Sequence, residues 1–337
     1  MRGLRYAWLA CALTMMAAPT WAARHRKPAA EHKADVARDK ALTRFQRDLV
    51  SVLAPRADAL PLLGAALLAR PLPRQPDHNS FHALIGRAAQ AQDAGPATDW
   101  VRLADCDAKA DACPNSEALA ALQARAPDNA AVWLLKLGND QHQMHDDEAR
   151  QDLARAAAAK RYDDYAGISL KALASTVAIL PPPAATLDPK DTAGAAGLQV
   201  MMVFGSARAQ PQPNLPAAAK LCEGAADDAA LKGDCLKLGK LLEWGSSPLA
   251  RSLGLHLRET LADDPAQQED ARRARRDLIW QVQNFAALSA RAQTVPAVAQ
   301  HLLTLARNGG SEMSLMLAAL RNAGIATEAP VDWKPGS

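Results

Sequence analysis

The stretch SEALAALQARAPDNAAVWLLKLGNDQHQMHDDEARQDLARAAAAKRYDDYAGISLKALASTVAIL, residues 116–180, decides the fold class. It reads as four helices, Ser116–Ala126, Asn129–His142, Asp146–Arg161 and Tyr165–Leu180, joined by short turns. Pro127 cannot continue the first helix, because its ring clashes with the preceding turn and it has no amide hydrogen. Asn129 then stands where a helix N-cap is wanted, its side-chain oxygen free to accept an amide of the next turn. Val132, Trp133, Leu135 and Leu137 follow on or beside one apolar stripe. Asp146 offers a second cap, and Ala149, Leu153, Ala156, Ala157 and Lys160 recur at spacings of three and four. Two such helices joined by a turn of about four residues are expected to lie antiparallel with those stripes facing each other.

The layout resembles the tetratricopeptide repeat, a helix–turn–helix of roughly 34 residues with a bulky aromatic, a Leu-Gly pair, paired small residues and a closing proline. With Pro127 closing one repeat, Trp133 falls on the aromatic position of the next, and Ala149 and Ala156 fall on small-residue positions. Gly138 arrives one residue late, and Arg161 stands where the next closing proline belongs. About two repeats are covered. The resemblance implies an all-α right-handed superhelix of stacked helical hairpins that holds a protein or peptide segment in its concave groove. In that register Leu134, Gln141 and His142 point into the groove, while Trp133 and Leu153 belong to the packing layer.

Outward from this block the pattern stays helical. Val and Ile together number only 17, whereas Ala and Leu, strong helix formers, dominate. The spacing predicts about fourteen helices. Proline-rich stretches at 181–190 and 209–216 are candidate hinges, within one superhelical array spanning 41–337 or between two lobes.

At the start, Arg2 and Arg5 precede an apolar run from Tyr6 to Ala17, and Thr20-Trp21-Ala22 ends in small residues. That is the pattern of a secretory signal peptide over 1–22, with the mature chain starting at Ala23. Residues 23–40 are basic and poor in large apolar side chains, so a flexible leader is expected there. The implied address is the bacterial periplasm, and no later segment is apolar enough to cross a bilayer. The formal charge is +3, falling to +1 once Arg2 and Arg5 are removed. Nucleic-acid binding calls for a strongly basic field, which such a chain lacks.

The four cysteines of the mature chain, Cys106, Cys113, Cys222 and Cys235, carry the clearest chemical signal. An even count in an oxidising compartment implies disulfides, with three possible connectivities. Local spacing favours Cys106–Cys113 and Cys222–Cys235, and neither pair has the Cys-x-x-Cys spacing of zinc or redox motifs. If Cys222 pairs with Cys235, the helix carrying Cys222 should end near Gly224 in a left-handed cap. His142, His145 and Asp146 flank one turn and are the place to look for a metal. His78 and His82 have no aligned partners in sequence. The run Asp270–Asp277 holds four arginines beside acids at helical spacing, the pattern of a solvated face or of an anion-binding one.

No Gly-x-Ser-x-Gly, Gly-x-Gly-x-x-Gly, phosphate-loop or His-Glu-x-x-His motif is present. The expectation is therefore a non-catalytic exported interaction scaffold for a protein or peptide partner, with no cofactor. A helical enzyme of unfamiliar type and a purely structural envelope protein are the competing readings.

Overall fold

The computed structural model describes residues 29–106 and 113–335. The signal-peptide expectation for 1–22 and residues 23–28 of the expected leader lie outside them. Fifteen α-helices and three short 3-10 turns make up the described chain, with one isolated backbone bridge between Asn129 and Arg161. The all-α class and the expected helix number are both observed.

Two main hydrophobic cores organise the helices. The first gathers α1 (Ala29–Leu53), α2 (Ala59–Ala69), α3 (Phe81–Gln90), α8 (Ala166–Val177), α9 (Gly194–Ala207) and α14 (Pro296–Asn308). The second gathers α4 (Pro96–Arg102), α5 (Ser116–Arg125), α6 (Ala130–His142), α7 (Asp146–Ala158), α10 (Leu215–Glu223), α11 (Ala229–Leu242) and α12 (Pro248–Leu261). A small third cluster, Leu255, Leu278, Met313, Met316 and Leu320, ties α12 to α13 (Pro265–Arg291) and α15 (Glu312–Asn322). The chain thus crosses between the two main cores several times.

Antiparallel hairpins do form where the turn chemistry asks for them, α6 on α7 above all. Yet α2 also packs on α8, α8 on α14 and α7 on α11. In a stacked repeat array each unit touches only its neighbours along the chain. These remote pairings are not of that kind, because each core draws helices from separate parts of the sequence. Of the two candidate hinges, 209–216 lies where the chain crosses from α9 to α10. The stretch 181–190 joins α8 and α9 inside the first core, and its Asp188 and Lys190 face α1.

Helix α1 begins at Ala29, so it takes in much of the segment expected to be a flexible leader. Composition misled here because the partners are remote: Glu31 pairs with Lys190, and Arg38 with both Asp35 and Asp188. Both local disulfides are present, with Cα separations of 5.2 Å for Cys106–Cys113 and 5.8 Å for Cys222–Cys235. Helix α10 stops at Glu223 as the second bridge requires. Gly224, however, has φ −83° and starts a 3-10 turn instead of a left-handed cap.

Candidate functional site

The hairpin α6–α7 holds the residues that the repeat register placed in a groove, and they part company. Leu134 is fully buried in the second core and is not available to a partner. Trp133, expected inside, lies at the edge of the core: its indole N–H donates to the Pro127 carbonyl at 2.8 Å, and the Arg155 guanidinium sits 5.1 Å from its ring. A tryptophan suits the outer position because its N–H finds an acceptor there and its face a cation.

Gln141 is half-buried and His142 exposed, beside Met144 at 85 % exposure. His145 precedes α7 without capping it through its side chain. Among the described residues, no group of three or more His, Cys, Asp or Glu side chains is placed to hold a metal ion. An ionic cluster adds to the apolar packing of this hairpin. Asp152, wholly buried, accepts from Lys136 at 2.7 Å and Arg155 at 2.8 Å, and Lys136 also donates to Asp140 at 2.6 Å. His82, which had no partner in sequence, lies 2.9 Å from an Asp105 oxygen through Nδ1.

The densest polar construction lies where the chain passes from α7 to α8. Asn129 is buried and caps α6 by accepting from Ala131 at 3.2 Å. The same amide accepts from the Asp163 N–H at 2.9 Å and donates to the Asp163 carbonyl at 2.7 Å and the Tyr165 hydroxyl at 3.2 Å. Tyr165 adopts φ 56°, a left-handed conformation rare for a bulky residue, and its ring rests 5.6 Å from that of the buried Trp100. Trp100 in turn donates to the Pro211 carbonyl at 3.0 Å, tying the α9–α10 crossing to the same place.

Asp164, nearly inaccessible to water, accepts from the Ser246 hydroxyl at 3.0 Å and the Ala166 amide at 3.3 Å. Burial pushes its carboxyl above the usual range, although the hydrogen bonds oppose that. Glu312, at the start of α15, is pushed up to about 7 by burial and then by the Asp164 charge, with Arg208 pulling the other way. The Tyr162 hydroxyl is buried, and burial with the Asp164 charge raises its pKa against the neighbouring Ser247 hydroxyl, which pulls it down. These groups come from three distant segments, so no spacing rule in the sequence points to them.

This junction fixes a neighbouring turn, residues 243–247. Ser246 donates its amide to the Tyr162 carbonyl at 3.3 Å and accepts the Met313 amide at 3.0 Å. Arg251 Nε donates to the Gly245 carbonyl at 3.0 Å, and Ser247 caps α12 through Ala250 at 3.5 Å. A Cβ at Gly245 would fall 2.9 Å from the Leu242 carbonyl oxygen, so the turn closes against α11 only with glycine there. Yet Trp244 is 77 % and Leu249 68 % exposed on either side of it. A fixed backbone thus presents two large apolar side chains to solvent.

No family model, curated protein or solved structure matches this chain. The reading of the site therefore rests on its own chemistry.

Proposed function

We propose that this chain is a non-catalytic exported interaction protein, with Trp244 and Leu249 as the apolar contacts for a protein or peptide partner. One observation carries the proposal: an exposed tryptophan on a turn that is held rigidly from both sides. Tryptophan is the residue type most enriched among energetically dominant interface positions. Holding it in place beforehand reduces the ordering cost of binding. Isolated exposed apolar side chains are commonplace; two of them flanking one immobilised turn are less so.

Export to the periplasm is part of the same proposal. It rests on the basic-then-apolar start of the chain, on two cysteine pairs at disulfide separation, and on the lack, among the described residues, of any helix long and apolar enough to cross a membrane. The proposed partner contact moves from the Leu134–His142 groove to the α11–α12 turn, because Leu134 is core.

Trp244→Ala and Leu249→Ser tests the reading. The pair of changes should leave thermal melting within a degree or so of the parent, since neither side chain packs inside. The same protein should lose partner capture in crosslinked envelopes. Capture equal to that of the parent counts against it.

A further inference from the structure

The arginine run of α13 builds a cleft of its own. With 3.6 residues per turn, positions 272, 273, 275 and 276 fall within one half of the helix surface, and Ile279 continues that face one turn on. Glu259 of α12 forms a second wall. The chain after α15 forms the third. It doubles back along α13, with Trp280 Nε1 donating to the Ala326 carbonyl at 2.8 Å and Gln281 Nε2 to Thr327 at 2.7 Å. The Ala329 amide donates to Asp277 at 3.0 Å, Trp333 packs edge-on to Trp280 at 5.5 Å, and Pro335 closes the cleft. The cleft is open to solvent, with a volume of about 520 Å³, within the range of small-molecule sites.

The lining is rich in guanidiniums. Four arginines stand there with Glu259 and Glu269, and Asp277 lies beside Arg276. Asp270, just outside, is shared between Arg273 at 3.0 Å and Arg258 at 3.3 Å. Glu259 receives Arg272 at 3.4 Å and Arg275 at 3.0 Å. Burial would raise the Glu259 carboxyl, but those two guanidiniums outweigh it and hold the group below its usual range. Each guanidinium carries five N–H donors. Arg272 reaches Glu259 and Glu269, and Arg273 and Arg275 each make one bond to a described residue. Arg276 is committed to the returning chain, donating to the Ala329 carbonyl at 3.1 Å and the Val331 carbonyl at 3.4 Å, while its Nε is shut from water with no acceptor and Asp277 stands 4.0 Å away. The donors left over in the cleft are therefore chiefly those of Arg272, Arg273 and Arg275, beside the apolar Ile279 and Pro335.

We infer that this cleft binds a phosphate-bearing ligand, its dianionic group held by the Arg272, Arg273 and Arg275 guanidiniums and its carbon skeleton resting on Ile279 and Pro335. Planar guanidiniums match the oxygens of carboxylate and phosphate alike two at a time, and several of them together suit a dianion with at least three acceptor oxygens better than a single carboxylate with two. The phosphate could belong to a soluble small molecule or to a lipid headgroup. The inference does not depend on the partner contact at Trp244.

Two probes separate the sources. Inorganic pyrophosphate is titrated by calorimetry, and phosphatidylcholine vesicles with or without phosphatidic acid are used in flotation. Saturable pyrophosphate binding supports the inference with a soluble ligand. Flotation only with phosphatidic acid supports it with a lipid headgroup. In either case Arg273→Gln/Arg275→Gln should weaken binding at least about tenfold, some 1.4 kcal/mol. Added salt should weaken it too, and Arg291→Gln on the same helix should bind as the parent. If the double variant melts early, Arg273→Gln alone serves, because that side chain is 63 % exposed and bonds only to Asp270. Absence of binding to both probes, or binding unaltered by the arginine changes, overturns the inference.

Discussion

Replacing Glu312 by Gln should stabilise the protein, and by an amount that depends on pH. In the fold the Glu312 carboxyl is pushed up to about 7 by burial and by Asp164, with Arg208 only partly compensating. A free glutamate titrates near 4.3, and each pKa unit corresponds to about 1.36 kcal/mol, so full ionisation in the fold costs roughly 3–4 kcal/mol. Glu312 is only half-buried, and water reaching its edge reduces the figure to about 2–3 kcal/mol. The sign follows from proton binding. The folded state holds this proton more tightly than the unfolded chain, so its stabilising contribution is complete below about pH 4 and is lost as pH rises through about 7. Asp164, also raised, acts in the same direction. Urea denaturation with the disulfides intact should therefore show Glu312→Gln about 1 kcal/mol more stable than the parent near pH 5 and about 2–3 kcal/mol more stable near pH 9. A gain of the same size at both pH values, or a loss at high pH, would refute the buried-acid reading.

Three further outcomes follow from the packing. Asp152→Ala should cost about 2–3 kcal/mol in denaturant unfolding, below the 3–5 kcal/mol of an abandoned buried charge, because Asp140 still neutralises Lys136. Leu134→Ala should cost about 2–5 kcal/mol, whereas Trp133→Ala should fall below the 3–5 kcal/mol of a fully buried aromatic, since its ring lies at the edge of the core. Gly167→Ala should destabilise the fold by about 2 kcal/mol or more and lower the melting temperature, because a Cβ there would sit 1.7 Å from the Gly310 carbonyl oxygen. A near-neutral Gly167→Ala would mean that α8 and the α14–α15 loop are less closely apposed.

The features that could be read in the sequence are those set by neighbouring residues. Asn129 and Ser311 cap the helices that follow them, Pro127 ends α5, and the two cysteine pairs bridge locally. The rest depends on chain segments meeting far from one another in sequence. Ion pairs to Asp188 and Lys190 extend α1 backwards through a stretch whose composition alone suggests a leader. At Trp133 and Leu134, adjacent apolar residues both suit a helix face, and only the Arg155 and Pro127 contacts decide which turns outward. The resemblance to a stacked repeat put Trp133 in the packing layer, and it packs against the second core at its edge, held there by a local hydrogen bond. The Asp164–Ser246–Glu312 junction had no local signal at all, and neither had the fixing of the turn that carries Trp244. The arginine run was visible as a charge pattern, but Glu259 and Pro335, which make it a cleft, were not.

The most direct test of the central claim compares two exposed turns of one molecule. A photoreactive residue is placed at the exposed position 240, one turn before Trp244, in one protein and at position 144, beside His142, in another, and both are illuminated in the native envelope. One discrete crosslinked species is expected from position 240, abolished by Trp244→Ala with Leu249→Ser, and none from position 144. A discrete species from position 144 alone, or the same pattern from both sites, would contradict the claim.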